Sequence, residues 1–367
     1  MSENSKIEWC DHTFNPWVGC VKISLACDHC YAEGWAKRSG QVVWGGERKR
    51  TSIANWRLPV KWNKQAELMQ SGWAHGVELH GGDESACIAA GFIKPIRPKV
   101  FCASLADVFD NEVPASWRSD LFQLIAETPN LDWLLLTKRV GNVRSMVPLE
   151  WLATSLRGPT GAVVHQYGWP ENVWLGATIC NQAEADRDIP KLLAVPAAKR
   201  FLSIEPLLGP VDLGFRIVNT NPPAGIESMT PAQVSEHAMI IARAIYHSWC
   251  DMVDWVVVGG ESGPNARPMH PDWARSLRDQ CQSAGVPFFF KQWGKWAPDW
   301  ESAETCCNCG NTKFDTAGRV IDGKTECGNC GGVDWNASDK PHETLAKVGK
   351  KAAGRLLDGR EWNGLPA

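Results

Sequence analysis

The chain has 367 residues, 44% of them apolar and 22% charged, the balance of an ordinary globular protein. A formal net charge of −3 argues against a generic polyanion binder. It leaves room for local basic tracks such as Lys37-Arg38 and Arg48-Lys49-Arg50, which equally suit a solvated face. The stretch Met1–Ile7 is polar and lacks a signal-peptide core, and no apolar run reaches the ~20 residues of a membrane span. A cytoplasmic location with no membrane partner is therefore expected.

In chain order, near-continuous apolar runs predict buried strands at Lys99–Ser104, Trp133–Thr137, Val173–Thr178, Arg200–Ile204, Asp254–Val258 and Val286–Phe290. Continuous rather than alternating runs belong to a parallel sheet covered on both faces. Helical patterns separate them. Pro114–Glu127 puts Trp117, Leu121, Leu124 and Ile125 on one face, and Pro271–Ala284 does the same with Trp273, Leu277 and Cys281, stopped by Gly285. Thr230 to Trp249 opens with a capping box, Thr230 and Gln233, and has Pro231 at its first helical position. Strands alternating with helices imply an α/β fold built from βα repeats and closed, or partly closed, into a barrel.

Polar residues follow these strands: Asp107, then Lys138 and Arg139, Asn181 and Gln182, Glu205, Glu261 and Ser262, and finally Lys291 and Gln292. In βα barrels the active site gathers at those strand ends, although a single such residue can equally be a helix cap. Residues 1–300 are expected to form the barrel, with insertions at about 69–95, which shows no clear period, and at 215–230. Residues 301–340 form a polar, cysteine-dense insertion, and residues 341–367 a C-terminal segment packed on the barrel.

Fourteen cysteines in a reducing compartment call for metal before disulfides. Cys20, Cys27 and Cys30 lie in NPWVGCVKISLACDHCYAEGWA, with six and two residues between them. Three thiolates on one loop can take three corners of a four-iron cluster and leave one iron open to a small molecule. Cys10 is the nearest fourth thiol, and with it a zinc site of four cysteines is the competing reading. Cys87, Cys102, Cys180, Cys250 and Cys281 sit in apolar contexts and read as core.

The loop resembles the signature of the radical S-adenosylmethionine (SAM) family common in bacteriophages and mobile elements, marked by Cys-x6-Cys-x2-Cys. The likeness continues through VFCASLADVFDNEVP, LLLTKR, VWLGATICNQAEADR, FLSIEPLLGPVDL, WVVVGGESGPNARPM, VPFFFKQWG and GKKAAGRLLDGREWNGLP. The resemblance implies a partial (β/α)6-type barrel with the cysteine loop after a first strand at Ile7–Thr13, a 4Fe–4S cluster, and SAM bound to the open iron. Cleavage of SAM to a 5′-deoxyadenosyl radical would follow, with a reductase or flavodoxin-type protein as electron donor. The commonest radical SAM loop spaces its cysteines by three and two residues, whereas here His29 precedes the last cysteine and Tyr31 follows it. Gly259-Gly260-Glu261 comes too late in the chain to be the family's glycine-rich SAM motif. Ser104 and Asp107 hold the expected SAM-facing position, with Glu205 and Glu261 as further cofactor candidates. Lys138, Arg139, Lys291 and Gln292 are candidates for substrate or for the SAM carboxylate.

Some phage enzymes of this kind take part in thymidine hypermodification, converting an N-linked glycinylthymidine to a C-linked one. The resemblance implies an isomerase or base-modifying enzyme acting on a nucleic acid, in the host cytoplasm if phage-encoded. Lys138, Arg139 or Arg267 would hold the glycyl carboxylate, and tryptophans such as Trp17, Trp35, Trp44 and Trp293 would stack on an extruded base. Radical repair or modification of another nucleic-acid or protein substrate stays open beside it.

Cys306-x2-Cys309 and Cys327-x2-Cys330, separated by seventeen residues, have zinc-ribbon spacing, with Cys307 able to replace Cys306. Such a ribbon staples an insertion too small to own a core. It also allows a different class of protein, a non-catalytic zinc-stapled nucleic-acid binder. Lys313, Arg319, Lys324 and Lys340 are available for phosphates, but Asp315, Asp322, Glu326 and Asp334 dilute them.

Overall fold

Seven parallel strands form one sheet: β1 (His12–Phe14), β2 (Lys99–Cys102), β3 (Asp132–Thr137), β4 (Val173–Thr178), β5 (Lys199–Ile204), β6 (Trp255–Gly259) and β7 (Phe288–Gln292). Their order in the sheet follows their order in the chain, and the sheet curls into a half-barrel. The computed structural model describes residues 3–153, 168–214, 249, 252–298 and 345–366, with backbone alone at 156–157, 163–165, 320–321 and 324–325. Among the described residues no helix is long and apolar enough to cross a membrane.

The two faces of the sheet bury different things, which is why its strands read as unbroken apolar runs. Outward residues such as Val100, Leu135, Leu175, Leu202, Val256 and Phe290 pack under the helices in the main core. Inward residues Phe101, Leu134, Trp174, Phe201, Trp255, Val257 and Phe289 join Trp9 and Cys10 in a second, mostly aromatic core inside the barrel. Trp9 fills that space, with ring centroids 4.7 Å from Phe101, 5.9 Å from Trp255 and 6.5 Å from Phe201. Gly176 makes room for it: a Cβ there would stand 2.3 Å from the Phe201 ring, so only glycine lets that ring lie across β4.

The helices longer than four residues among the described residues are α1 (Tyr31–Ser39), α2 (Leu58–Leu79), α3 (Glu84–Ala89), α4 (Ala115–Ala126), α5 (Gln182–Leu193) and α6 (Pro271–Ala284). In α4 Leu121, Phe122, Leu124 and Ile125 are buried, and α6 runs from the His270 cap and Pro271 to Gly285 at φ 69°, as its pattern predicts. Asn181 caps α5 by accepting from the Glu184 amide, which is the helix-cap role for that strand-end position.

Two expectations need correction. The first strand is His12–Phe14 rather than Ile7–Thr13, because Ile7 to Cys10 turn back on themselves (Cys10 N to Ile7 O, 3.2 Å) to drop Trp9 into the barrel. The segment expected to lack a period, 69–95, carries the second half of α2 and all of α3. Gly76 there faces Phe92 and Cys87 so closely that a side chain would collide, a packing contact with no signature in hydrophobic periodicity. The C-terminal segment lies along the free edge of β7, with Phe290 N to Trp362 O at 2.9 Å and Gly364 N to Phe288 O at 3.0 Å, and so covers an edge open to foreign strands.

Candidate functional site

At the C-terminal ends of the strands lies a cavity of about 410 Å³. Cys20, Cys27, Cys30, Ser104, Asp107, Lys138, Arg139, Glu205, Glu261, Lys291 and Gln292 all line it. One wall is the cysteine loop; the other is the strand ends, whose inward residues also include Leu136, Thr178 and Ser203.

The loop is ordered locally by Ser24, whose hydroxyl accepts from the Ala26 amide and caps the short turn Leu25–Cys27. Cys27 is buried, Cys20 and Cys30 are half-buried, and Cys30 leads directly into α1. Tyr31, the first residue of α1, donates its hydroxyl to the Ser104 carbonyl at 2.5 Å. Ser104 is bound in turn through its own hydroxyl to buried Asn15 at 3.0 Å.

Beside Cys20, nearly every polar atom is already engaged. Asp107 accepts from the Thr137 hydroxyl (2.7 Å) and the Phe109 amide (3.0 Å) on one oxygen, and from the Lys138 amide and Arg139 Nη1 (both 3.1 Å) on the other. Arg139 Nη1 also donates to Cys20 Sγ at 3.4 Å, and Nη2 to the Val21 carbonyl at 3.1 Å. Burial pushes the Cys20 thiol above its usual range while the Arg139 guanidinium pulls it back. Burial also works against the charge on Arg139, but Asp107 and Cys20 more than offset it, so the guanidinium stays firmly protonated.

At the other end of the loop the pattern recurs with Glu261. Its carboxylate accepts from Arg267 three times, at the amide (2.8 Å), Nε (3.0 Å) and Nη2 (2.7 Å), and meets His29 Nδ1 at 2.9 Å. Burial raises its pKa, yet these partners hold the carboxyl below the usual carboxylate range. Asp107 and Glu261 therefore face the cavity with their oxygens already engaged, each by an arginine among other donors, and Arg139 and Arg267 are committed to the loop.

The strand wall differs. Lys291 Nζ reaches Glu205 Oε2 at 3.2 Å, while Glu205 Oε1 is buried without a hydrogen-bond partner. Thr178 Oγ1 is likewise buried and unpartnered, in a residue only 4% exposed. Burying such groups unpaired costs about 1–3 kcal/mol each, so a water or ligand atom that pairs with them is favoured there. Gln292 lines the wall, with Nε2 at 3.5 Å from the Gly260 carbonyl. Neither Thr178 nor Ser203 stands out in the sequence, because each is the last inward residue of a strand rather than part of the loop after it.

The tryptophans divide. Trp44 lines the cavity and Trp35 is half-buried. Trp17 and Trp293 are core residues at 0% and 1% exposure, their indole N–H groups bound to the Asp107 and Leu356 carbonyls, so they cannot stack on a base. Gln182 points to Asp186 on α5 and does not line the cavity. Cys10 is off the cavity too: it sits in the inner core, with Sγ 3.5 Å from Ser5 Oγ and 3.8 Å from the Ile7 carbonyl. Burial pushes its thiol up to about 11. Cys87, Cys102, Cys180 and Cys281 are buried, as their apolar contexts predict. Cys306, Cys307, Cys309, Cys327 and Cys330 lie outside the described residues, as do Cys250 and the helix expected to open at Thr230.

Among the described residues no three His, Cys, Asp or Glu side chains converge as one metal ion would require. Thiolates on a single ion stand ~2.3 Å from it. A four-iron cluster spreads its ligands over separate irons and asks for thiols along one wall beside an open space. Cys20, Cys27 and Cys30 supply three thiols that line this cavity, the donor type such a cluster takes.

The fold defines the chain as a parallel βα half-barrel with a cavity at its strand ends. Residues 4–366 match the family described as protein of unknown function (DUF5131), and the chain belongs to that family. No curated protein and no solved structure matches it.

Proposed function

We propose that the chain is a radical SAM enzyme that holds a 4Fe–4S cluster by Cys20, Cys27 and Cys30. The observation that carries this reading is the division of the thiols: three on one wall of the cavity, and Cys10 turned away into the aromatic core. With three cysteines holding the cluster, that division would leave a position for the amino and carboxylate groups of SAM. The chemistry supplied by the bound pair is one-electron cleavage of SAM to a 5′-deoxyadenosyl radical, which takes hydrogen from an unactivated carbon.

The chain's own residues bind and orient. Lys138 lines the cavity with an ammonium that has no partner among the described residues, and Lys291 adds a second positive charge for a carboxylate. Glu205 Oε1 and Thr178 Oγ1 suit a ligand rich in hydroxyl or N–H donors. The aromatic floor below keeps water from the reacting carbon.

For the substrate we take a thymidine-derived base in nucleic acid, with conversion of N-linked to C-linked glycinylthymidine as the reaction. Hydrogen abstraction at the glycyl α-carbon suits it, because amine and carboxylate both stabilise the resulting radical. Trp44 offers the stacking surface within the cavity. A zinc ribbon at Cys306, Cys309, Cys327 and Cys330, and a reductase or flavodoxin-type electron donor, complete the proposal.

Anaerobically purified or reconstituted protein should be brown, contain iron, and release 5′-deoxyadenosine with dithionite and SAM. Colourless protein carrying zinc and no iron would overturn the reading in favour of a non-catalytic nucleic-acid binder. Nucleosides from DNA made with and without the gene test the substrate; identical profiles would remove thymidine modification and leave the radical chemistry to act elsewhere.

A further inference from the structure

The gap between Cys20 and Cys27 is unusually exposed for a segment that must hold thiols in register. Val21, Ile23 and Leu25 are 38%, 45% and 54% exposed, so the loop buries little apolar surface of its own. Within the gap it is held by the Ser24 cap and by Lys22, which donates to the Asp28 carbonyl and pairs with Glu33, so much of its order rests on its ends. Each end is gripped by an arginine, and the two arginines follow strands that stand three apart in the sheet.

Arg139, which follows β3, takes the Cys20 end through the Cys20 sulfur and the Val21 carbonyl. Its side chain is only 7% exposed and is set by Asp107. Arg267, which follows β6, takes the Cys27 end: Nη1 donates to Asp28 at 2.9 Å and Nη2 to the Leu25 carbonyl at 2.9 Å. Glu261, 4% exposed, fixes Arg267 from below and reaches His29 directly. The planar guanidinium fork is what lets one side chain bind a carboxylate and a loop carbonyl together; a lysine ammonium has no such geometry.

We propose that Arg139 and Arg267 are positioning residues that clamp the cysteine loop from both ends, and that Arg139 also tunes the cluster through its hydrogen bond to Cys20. Arg267 and Glu261 then hold the loop rather than a substrate carboxylate or SAM. The Arg139 part rests on the cluster-binding reading above; the Arg267 part does not. Hydrogen bonds from a charged donor to a ligating sulfur favour the reduced, more negative cluster and so raise its potential.

The test has two arms. In the metal-free protein, hydrogen exchange over residues 21–30 should be about tenfold faster in Arg267→Ala than in wild type, the size expected for loss of a charge-assisted contact. Protection in β4 and β5 should be unchanged, and Arg267→Lys should recover little. If Arg267→Ala does not fold, Glu261→Gln provides the same comparison while keeping the shape of the site. Exchange equal to wild type overturns the clamp. In the reconstituted protein, Arg139→Met should bind iron with a midpoint potential more negative than wild type and a shifted paramagnetic-resonance spectrum. An unchanged potential overturns the tuning role. Wild-type protein that takes up no iron overturns the cluster reading and the tuning role together, and the exchange arm still decides the clamp.

Discussion

Glu205 and Lys291 form an ion pair across a strand that belongs to neither of them. Glu205 follows β5 and Lys291 lies on β7, yet Nζ and Oε2 are 3.2 Å apart over β6. Gly259 makes this possible: a Cβ on it would lie 2.4 Å from Glu205 Oε1. The register between β6 and β7 slips just past Val258, as at a bulge, and Lys291 is the residue it leaves over.

Replacing Gly259 by alanine should push the Glu205 carboxylate off β6 and break the pair. The expected cost is about 1–3 kcal/mol, the range for overpacking a filled interior. Gly176→Ala should fall in the same range because it meets the Phe201 ring. Urea denaturation of the two variants checks both; stability equal to wild type would mean that the side chains have room to move aside.

Thr178→Val should leave the ligand-free protein as stable as wild type or slightly more so, since it removes a buried hydroxyl that has no partner. The same substitution should weaken SAM binding to reconstituted protein by roughly tenfold, about 1.4 kcal/mol. Thermal unfolding without ligand and equilibrium dialysis with SAM separate the two effects. A destabilised protein would show that the hydroxyl is satisfied from within the fold.

Behind the cysteine loop, Arg48 and Asp110 are paired at 2% side-chain exposure each, with Nε at 2.8 Å and Nη2 at 2.7 Å from the same oxygen. Asp110→Ala strands a buried guanidinium and should cost about 3–5 kcal/mol. Arg48→Met combined with Asp110→Leu should cost less, because the Arg48 guanidinium is no longer stranded, although Arg118 and Arg139 still lose the Asp110 charge. Guanidinium denaturation of single and double variants measures the difference.

Burial pushes the Asp358 carboxyl up, but the Arg275 and Arg278 guanidiniums outweigh it and hold it below the ordinary 3.8. A carboxylate with a depressed folded pKa stabilises the fold above its unfolded pKa and loses that contribution as pH falls through the folded value. Docking of the C-terminal segment on α6 should therefore hold near neutral pH and weaken below about pH 4. The urea midpoint of wild type should drop more steeply in that window than that of Asp358→Asn.

Cys10→Ala should load as much iron as wild type, whereas Cys20→Ala, Cys27→Ala or Cys30→Ala should each lose most of it. Colorimetric iron analysis after anaerobic reconstitution decides this. Equal loss from the Cys10 variant would make Cys10 a ligand and close the position left for SAM.

The strands were legible because each is buried on both faces, and a run such as WLLLT admits few other readings. That same property hides which residues face the cavity. Trp174 and Leu175 are equally apolar, yet one fills the barrel and the other packs under helices. Residues just past the strands were easier to find, since a charge after an apolar run is visible, and those from Ser104 to Gln292 nominated for cofactor or substrate line the cavity with the exception of Arg267. Thr178 and Gly259 were not, because a hydroxyl without a partner and a missing Cβ acquire meaning only from neighbours distant in the chain. The clamp was missed for a related reason. Arg267 and Asp28 stand 239 residues apart, and nothing local links them.

The tryptophan and phenylalanine packing beneath the cavity has a kinetic consequence. Among the described residues, Trp9, Trp174 and Trp255 fill the lower end of the barrel, which leaves the loop side above as the way into the cavity. Two ligands sharing one doorway must queue: the deeper one arrives first and departs last. Turnover would then follow a compulsory sequence, and excess of the outer ligand should trap the inner one in place.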